Sequence, residues 1–223
     1  MKKYKVIIFD LDGTLLDTSP GIFNAIRYTE KKMGFSPIPD SALPEFVGPP
    51  SLASYLNHYP IDKATAMEAV KYHRYYQGHQ GAAEANPYDG IPELLKSLKE
   101  LGYKLGVATL KRQDITELTL KKAGIYDDFD AICGIDAAES LTKADIIRLV
   151  LKELNCAPSD AVMIGDSRYD AEGAAETGVP FIGVSYGFGF KSPQEIEALH
   201  PRFTACFVDD LFAFFDQEFS VRN

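Results

Sequence analysis

Residues 6–17 read Val6-Ile7-Ile8-Phe9-Asp10-Leu11-Asp12-Gly13-Thr14-Leu15-Leu16-Asp17. The four leading residues are apolar and mostly β-branched or aromatic, which predicts a strand buried on both faces, as in a parallel sheet, and Asp10 stops the run. Similar short runs recur at 104–109, 131–133, 161–164 and 181–184, with a weak one at 205–208. Between them, 91–101, 114–123, 144–154 and 169–177 carry apolar residues at i, i+3 and i+4, the helical spacing. Alternating strands and helices specify an α/β fold: a Rossmann-like, doubly wound parallel sheet with helices on both faces.

The alternation breaks once. Far more residues than a crossover needs separate the first strand from the second, and 19–33, 51–57 and 62–77 in that gap have helical patterns. The chain therefore reads as an α/β core of residues 1–18 and 87–223 with an inserted all-helical domain of residues 19–86. Thr18-Ser19-Pro20 and Asn86-Pro87 punctuate the joints. A length of 223 residues suits one domain of about 150 plus such an insertion.

With 46% hydrophobic and 25% charged residues, the composition excludes wholesale disorder and a membrane protein. A formal net charge of −9 argues against nucleic acid. Cys133, Cys156 and Cys206 are scattered and odd in number, which points to a reduced, cytoplasmic setting without a zinc site or disulfide framework. Lys2, Lys3 and Lys5 precede an apolar run too short for a signal peptide. The aromatic stretch at 212–215, flanked by Asp209, Asp210 and Asp216, reads as a terminal helix packed on the core.

Ligands of open parallel sheets collect outside the carboxyl ends of the strands. The first strand ends in Asp10 to Thr14, the second in Thr109, and the one at 161 in Gly165-Asp166, with Asp170 a helical turn further on. Each alone is ordinary turn chemistry. Together these carboxylates repel one another unless a cation sits at their centre, and magnesium, a hard ion, suits oxygen donors. His58, His73, His79 and His200 lack zinc-ligand spacing. Asp10-Leu11-Asp12-Gly13 lacks the later ligands of a calcium loop, and Gly187-Phe188-Gly189 lacks the third glycine of a dinucleotide loop and reads as a flexible turn.

Asp10 to Asp17, Thr109, Lys143 and Gly165-Asp166-Ser167-Arg168-Tyr169-Asp170 resemble, in order, the four motifs of the haloacid dehalogenase superfamily. The helical insert, with Phe46-Val47-Gly48-Pro49-Pro50, resembles the cap of its phosphoglycolate phosphatase-like branch. The resemblance implies a Mg2+-dependent phosphatase, a phosphoric monoester hydrolase, acting on a small soluble phosphomonoester through an aspartyl-phosphate intermediate. Phosphoglycolate is its leading candidate substrate. On that pattern Asp10 is the nucleophile and Asp12 the general acid and base. The metal is held by Asp10, the Asp12 carbonyl and Asp166, with Asp170 as a ligand or support. Gly13, Thr109, the Leu110 amide and Lys143 receive the phosphoryl group.

Lys143 stands at a helix start, where a cation is disfavoured. Alone it reads as a surface lysine paired with Asp145; with the other motifs it reads as a phosphate ligand. Lys111 is either added charge nearby or an exposed helix-start residue, and stays outside the expected set. Lys71, Tyr72, His73, Arg74, Tyr75 and Tyr76 form the richest cluster of the insert, mostly helix surface and packing, with substrate contact the minority expectation. A phosphosugar mutase of the β-phosphoglucomutase type remains an alternative. So does a receiver-like phospho-accepting module, though the insert and Asp12 disfavour it. A dehalogenase has no need of Asp12 as proton donor. The implied partner is a small-molecule phosphate ester, with no nucleic acid or membrane, and the chain acts as a monomer or homodimer.

Overall fold

A computed structural model describes residues 3–220; Lys2 lies outside them. In chain order the elements are β1 (Val6–Phe9), β2 (Leu16–Asp17), α1 (Ser19–Met33), α2 (Ser51–His58), α3 (Lys63–His79) and β3 (Asn86–Pro87). There follow α4 (Ile91–Glu100), β4 (Lys104–Arg112), α5 (Gln113–Ala123), β5 (Ala131–Ile135), α6 (Lys143–Glu153) and β6 (Ala161–Gly165). The chain continues with α7 (Arg168–Thr177), β7 (Phe181–Val184), α8 (Pro193–Glu197), β8 (Phe203–Ala205) and α9 (Val208–Ser220).

All four residues of β1 are buried, as a strand covered on both faces requires. Ile7 and Phe9 face one core with Leu94, Leu95 and Leu211, while Val6 and Ile8 face a second with Ile146, Ile147 and Val150. Each such fully buried side chain contributes about 1.5–3 kcal/mol relative to exposure. The main sheet is parallel throughout, in the order β5-β4-β1-β6-β7-β8. Phe9 lies opposite both Val107 and Ile164, so β1 and β6 end side by side while the neighbouring β4 runs on past them to Arg112. The strand order reverses beside β1, which opens a crevice there.

Strand boundaries differ from expectation at β5 and β6, which run on to Ile135 and Gly165, and more consequentially at β4 and β8. β4 continues past Thr109 to Arg112, with its register to β5 slipping between Ala108 and Arg112. The weak strand expected at 205–208 lies at Phe203–Ala205 instead. The Asp210 carboxylate accepts the amides of Cys206 (2.8 Å) and Phe207 (3.0 Å), which turns the chain into α9. Leu211 and Phe215 of that helix are buried in the core, as the aromatic stretch predicts.

The helices α1, α2 and α3 all fall between β2 and β3, which pair antiparallel with Leu16 opposite Pro87 and Asp17 opposite Asn86. The helical segment thus leaves and rejoins the sheet through one two-stranded ribbon. Ile22, Ile26, Tyr55, Tyr59 and Val70 give it a core of its own. Among the described residues no helix is long and apolar enough to cross a membrane.

Candidate active site

The amide of Asp10 still donates to Ile164 (2.9 Å), so its carboxylate is projected from the end of the sheet ladder. The chain then folds on itself, with the amides of Leu15 and Leu16 donating to Leu11 (both 3.1 Å). Gly13 makes this possible. It has φ of 81°, and a Cβ there would lie 2.3 Å from Asp166 Oδ2.

Lys143 opens α6, but the acid expected to pair with it is already engaged. Asp145 Oδ2 accepts the Thr142 amide (3.0 Å), and Thr142 Oγ1 accepts the Asp145 amide (3.1 Å), which closes a capping box. Lys143 turns inward instead. Its Nζ donates to Asp10 Oδ1 (2.7 Å) and the Ala108 carbonyl (2.9 Å) and lies 2.7 Å from Asp170 Oδ1, a charge contact without hydrogen-bond alignment. Burial opposes its charge, yet Asp10 and Asp170 together hold the ammonium above its usual range.

Asp170 Oδ2 accepts both the amide (3.1 Å) and the hydroxyl (2.6 Å) of Ser167, which fixes the start of α7. Asp166 Oδ2 accepts the amides of Phe188 (2.7 Å) and Gly189 (3.0 Å). The Gly187-Phe188-Gly189 segment is therefore part of the site. A Cβ on Gly187 would lie 2.3 Å from both Asp166 Oδ2 and the Gly13 carbonyl, so only glycine lets the three segments meet.

Asp10, Asp166 and Asp170 are buried and each offers an oxygen within 4.8 Å of the others. Burial, then Asp170, Asp166 and Asp12, push Asp10 up to about 8 against the pull of Lys143. Burial and Asp170 likewise push Asp166 up to about 7, against its two amide donors. A compact set of hard oxygen donors whose charges are strained by burial fits a divalent cation such as Mg2+.

The Asp12 side chain stands apart from that trio. Lys111 Nζ donates to both of its oxygens (2.9 and 3.2 Å), and the lysine side chain is only 10% exposed. Lys111 belongs to the extended β4 and not to a helix start. The signal was its place two residues after Thr109, which on a strand means the same face. Thr109 is buried, its Oγ1 accepts the Lys111 amide (3.2 Å), and it follows the carbonyl held by Lys143. Leu110 borders the space above Asp12.

That space is a cavity of about 50 Å³ between the strand ends and α3, bordered by Asp12, Leu110 and Lys111 below and by His73, Arg74 and Gln77 above. Of the aromatic and basic cluster on α3, His73 and Arg74 reach it. Lys71 instead pairs with Glu68 at the surface, Tyr75 is exposed, and the Tyr76 hydroxyl donates to Glu84 (3.0 Å).

His73 is buried, with Nδ1 3.2 Å from the Tyr55 hydroxyl. Burial, reinforced by Lys111 and Arg74, pushes its imidazole down to about 3. It binds a proton less readily folded than unfolded, so its contribution is intact above the unfolded value near 6.5 and is lost as pH falls toward 3. Urea unfolding at pH 7 and pH 5 should show the parent losing about 2 kcal/mol more than His73→Gln over that interval. Equal losses in the two proteins would contradict this account of the buried ring.

A carboxylate at the tip of the central strand, a buried ammonium against it and oxygen donors for a hard cation together have the chemistry to receive an anionic group. The sequence pattern of the haloacid dehalogenase-like hydrolase family matches residues 7–184, a span holding Asp10, Thr109, Lys143, Asp166 and Asp170. The chain belongs to that family. It is 36% identical over 200 residues to a 5'-nucleotidase of Pseudomonas aeruginosa, covering 89% of this chain and 90% of that one. It is 32% identical to the tyrosine-protein kinase PtkA of Mycobacterium tuberculosis, over 83% of this chain but 63% of that longer one. A solved structure from Clostridium acetobutylicum, described as a predicted phosphatase, superposes with a TM-score of 0.86 at 40% identity, covering 93% of this chain and 96% of that one. The protein is a hydrolase of the phosphatase class.

Proposed function

We propose that this protein is a cytoplasmic, Mg2+-dependent phosphatase for a small soluble phosphomonoester, phosphoglycolate-like in size, and that Asp10 carries the phosphoryl group between two displacements. Residues 19–86 form a lid domain over a core of residues 1–18 and 87–223. The observation that carries the reading is Asp10 itself, at the end of the central strand, 2.7 Å from the buried ammonium of Lys143 and inside an acidic trio.

In the first displacement an Asp10 oxygen attacks phosphorus, forming the acyl phosphate as the bond to the leaving oxygen breaks. Asp12, two residues on along the same turn, gives that oxygen a proton. In the second, Asp12 takes a proton from water, whose oxygen attacks phosphorus and frees Asp10. Lys143, the Thr109 hydroxyl and the amides around Gly13 and Leu110 offset the charge on the phosphoryl oxygens. Mg2+, held by Asp10, Asp166 and the Asp12 carbonyl, supplies further positive charge when bound. Asp170 already engages Ser167 through one oxygen and Lys143 through the other, which supports a supporting role for it. The small cavity over Asp12 favours a small leaving group, and a lid on the β2–β3 ribbon excludes water during the first displacement.

The test is phosphate release from a panel of small phosphate esters and one phosphopeptide, with Mg2+ and after exhaustive chelation. A small ester should be the best substrate, chelation should abolish turnover, and Mg2+ should restore it. Asp166→Ala should raise the Mg2+ needed for half activity by about 10- to 100-fold. Full activity without divalent metal, or preference for the phosphopeptide, would overturn the proposal.

A further inference from the structure

Glu139 lies in the loop between β5 and α6 with φ of 53°, a left-handed conformation that glycine or asparagine adopts readily and glutamate does not. The loop is braced to hold it there. Asp136 accepts the amides of Ser140 (2.8 Å) and Leu141 (3.1 Å) and the Ser140 hydroxyl (2.8 Å). A disfavoured backbone kept in place by local bonds points to a task for the side chain it presents.

That side chain is 9% exposed and reaches two helices of the insert at once. Glu139 Oε1 is ion-paired with the Arg74 guanidinium on α3, and Oε2 accepts the Leu52 amide on α2 at 3.4 Å. The contact crosses from the sheet domain to the lid. Both charged groups also border the cavity over Asp12. That cavity lies between Asp12 and Lys111 on one side and His73 and Arg74 of α3 on the other. Lifting α2 and α3 from the strand ends would widen the space over Asp12, and it would separate Arg74 and Leu52 from Glu139. A largely buried ion pair resists such separation, because each partner is left without its counter-charge.

We propose that Glu139 is a positioning residue for specificity: by clamping Arg74 and the Leu52 amide it holds the lid closed, and so limits the size of leaving group the site accepts. The proposal rests on the phosphatase reading, with the insert as lid. It assigns Glu139 no contact with substrate.

The experiment measures kcat and KM for ethyl phosphate and 2-phenylethyl phosphate, two alkyl esters differing in bulk, in the parent, Glu139→Gln, Glu139→Gly, Arg74→Met and the Glu139→Gln/Arg74→Met pair. Glycine suits the left-handed backbone and removes the whole side chain with its carboxylate, so it serves even if the glutamine variant folds poorly. Both Glu139 variants should shift the ratio of kcat/KM about tenfold toward the bulkier ester, chiefly through KM, and the shift should largely vanish in the Arg74→Met background. Amide hydrogen exchange of α2 and α3 should quicken in both, a readout that needs no turnover. An unchanged ratio and unchanged exchange would overturn the clamp, as would a shift that persists undiminished without Arg74. Failure of the parent to release phosphate from either ester would count against the phosphatase reading, while the exchange result would still decide the clamp.

Discussion

Asp10→Asn folds and does not turn over: the expected loss in kcat is about 10,000-fold or more, the scale seen when a nucleophile that acts as part of a unit is removed. Asparagine keeps the shape of the side chain but cannot form the acyl phosphate. The fold should survive because the change removes one of three buried carboxylates that repel one another, and Lys143 keeps its contacts with Asp170 and the Ala108 carbonyl. Thermal melting followed by circular dichroism should place the variant at or above the parent in Tm. Substantial remaining phosphatase activity in this folded variant would remove Asp10 from the centre of the mechanism.

Lys143→Met has the second large effect, and it touches stability as well as rate. Methionine can fill much of the lysine's buried volume but leaves Asp10 and Asp170 without their shared counter-charge, a change that costs about 3–5 kcal/mol when one partner of a buried ion pair is removed. On the proposed mechanism, in which Lys143 faces the phosphoryl oxygens, the change should also lower kcat by about 100- to 1,000-fold. Urea unfolding in the presence of chelator reads the first effect, and assays at saturating Mg2+ read the second. A variant as stable as the parent would mean that Lys143 does not hold the acidic trio together, whatever its effect on rate.

The strands of the main sheet were legible because burial on both faces leaves an uninterrupted apolar run, as in Val6 to Phe9, and no helix pattern competes with it. The acidic residues at the strand ends were legible for a related reason, since Asp10 and Asp166 interrupt those runs where a sheet presents its ligand side. Lys111 was harder to see. A lysine two positions beyond an apparent strand end looks like a helix start, and only the extension of β4 to Arg112 turns it onto Asp12. Gly187, Phe188 and Gly189 carry no side chain that suggests chemistry, because their contribution is backbone amides and close approach to Asp166. The pairing of Arg74 with Glu139 joins residues 65 positions apart on separate layers, and no local pattern encodes such a contact. The aromatic and basic residues of α3 read mostly as helix surface and packing; helix rotation decides that His73 and Arg74 are the ones that meet the strand ends.

Rapid quenching in acid during turnover of a small phosphomonoester with Mg2+, followed by mass analysis of the peptide spanning residues 6–17, tests the central claim most directly. The account predicts one phosphoryl group on Asp10, released by hydroxylamine as an acyl phosphate should be, formed and discharged at rates compatible with kcat, and missing from Asp10→Asn. Steady phosphate release with no acyl phosphate at any quench time, or a phosphoryl group carried by another residue, would contradict it.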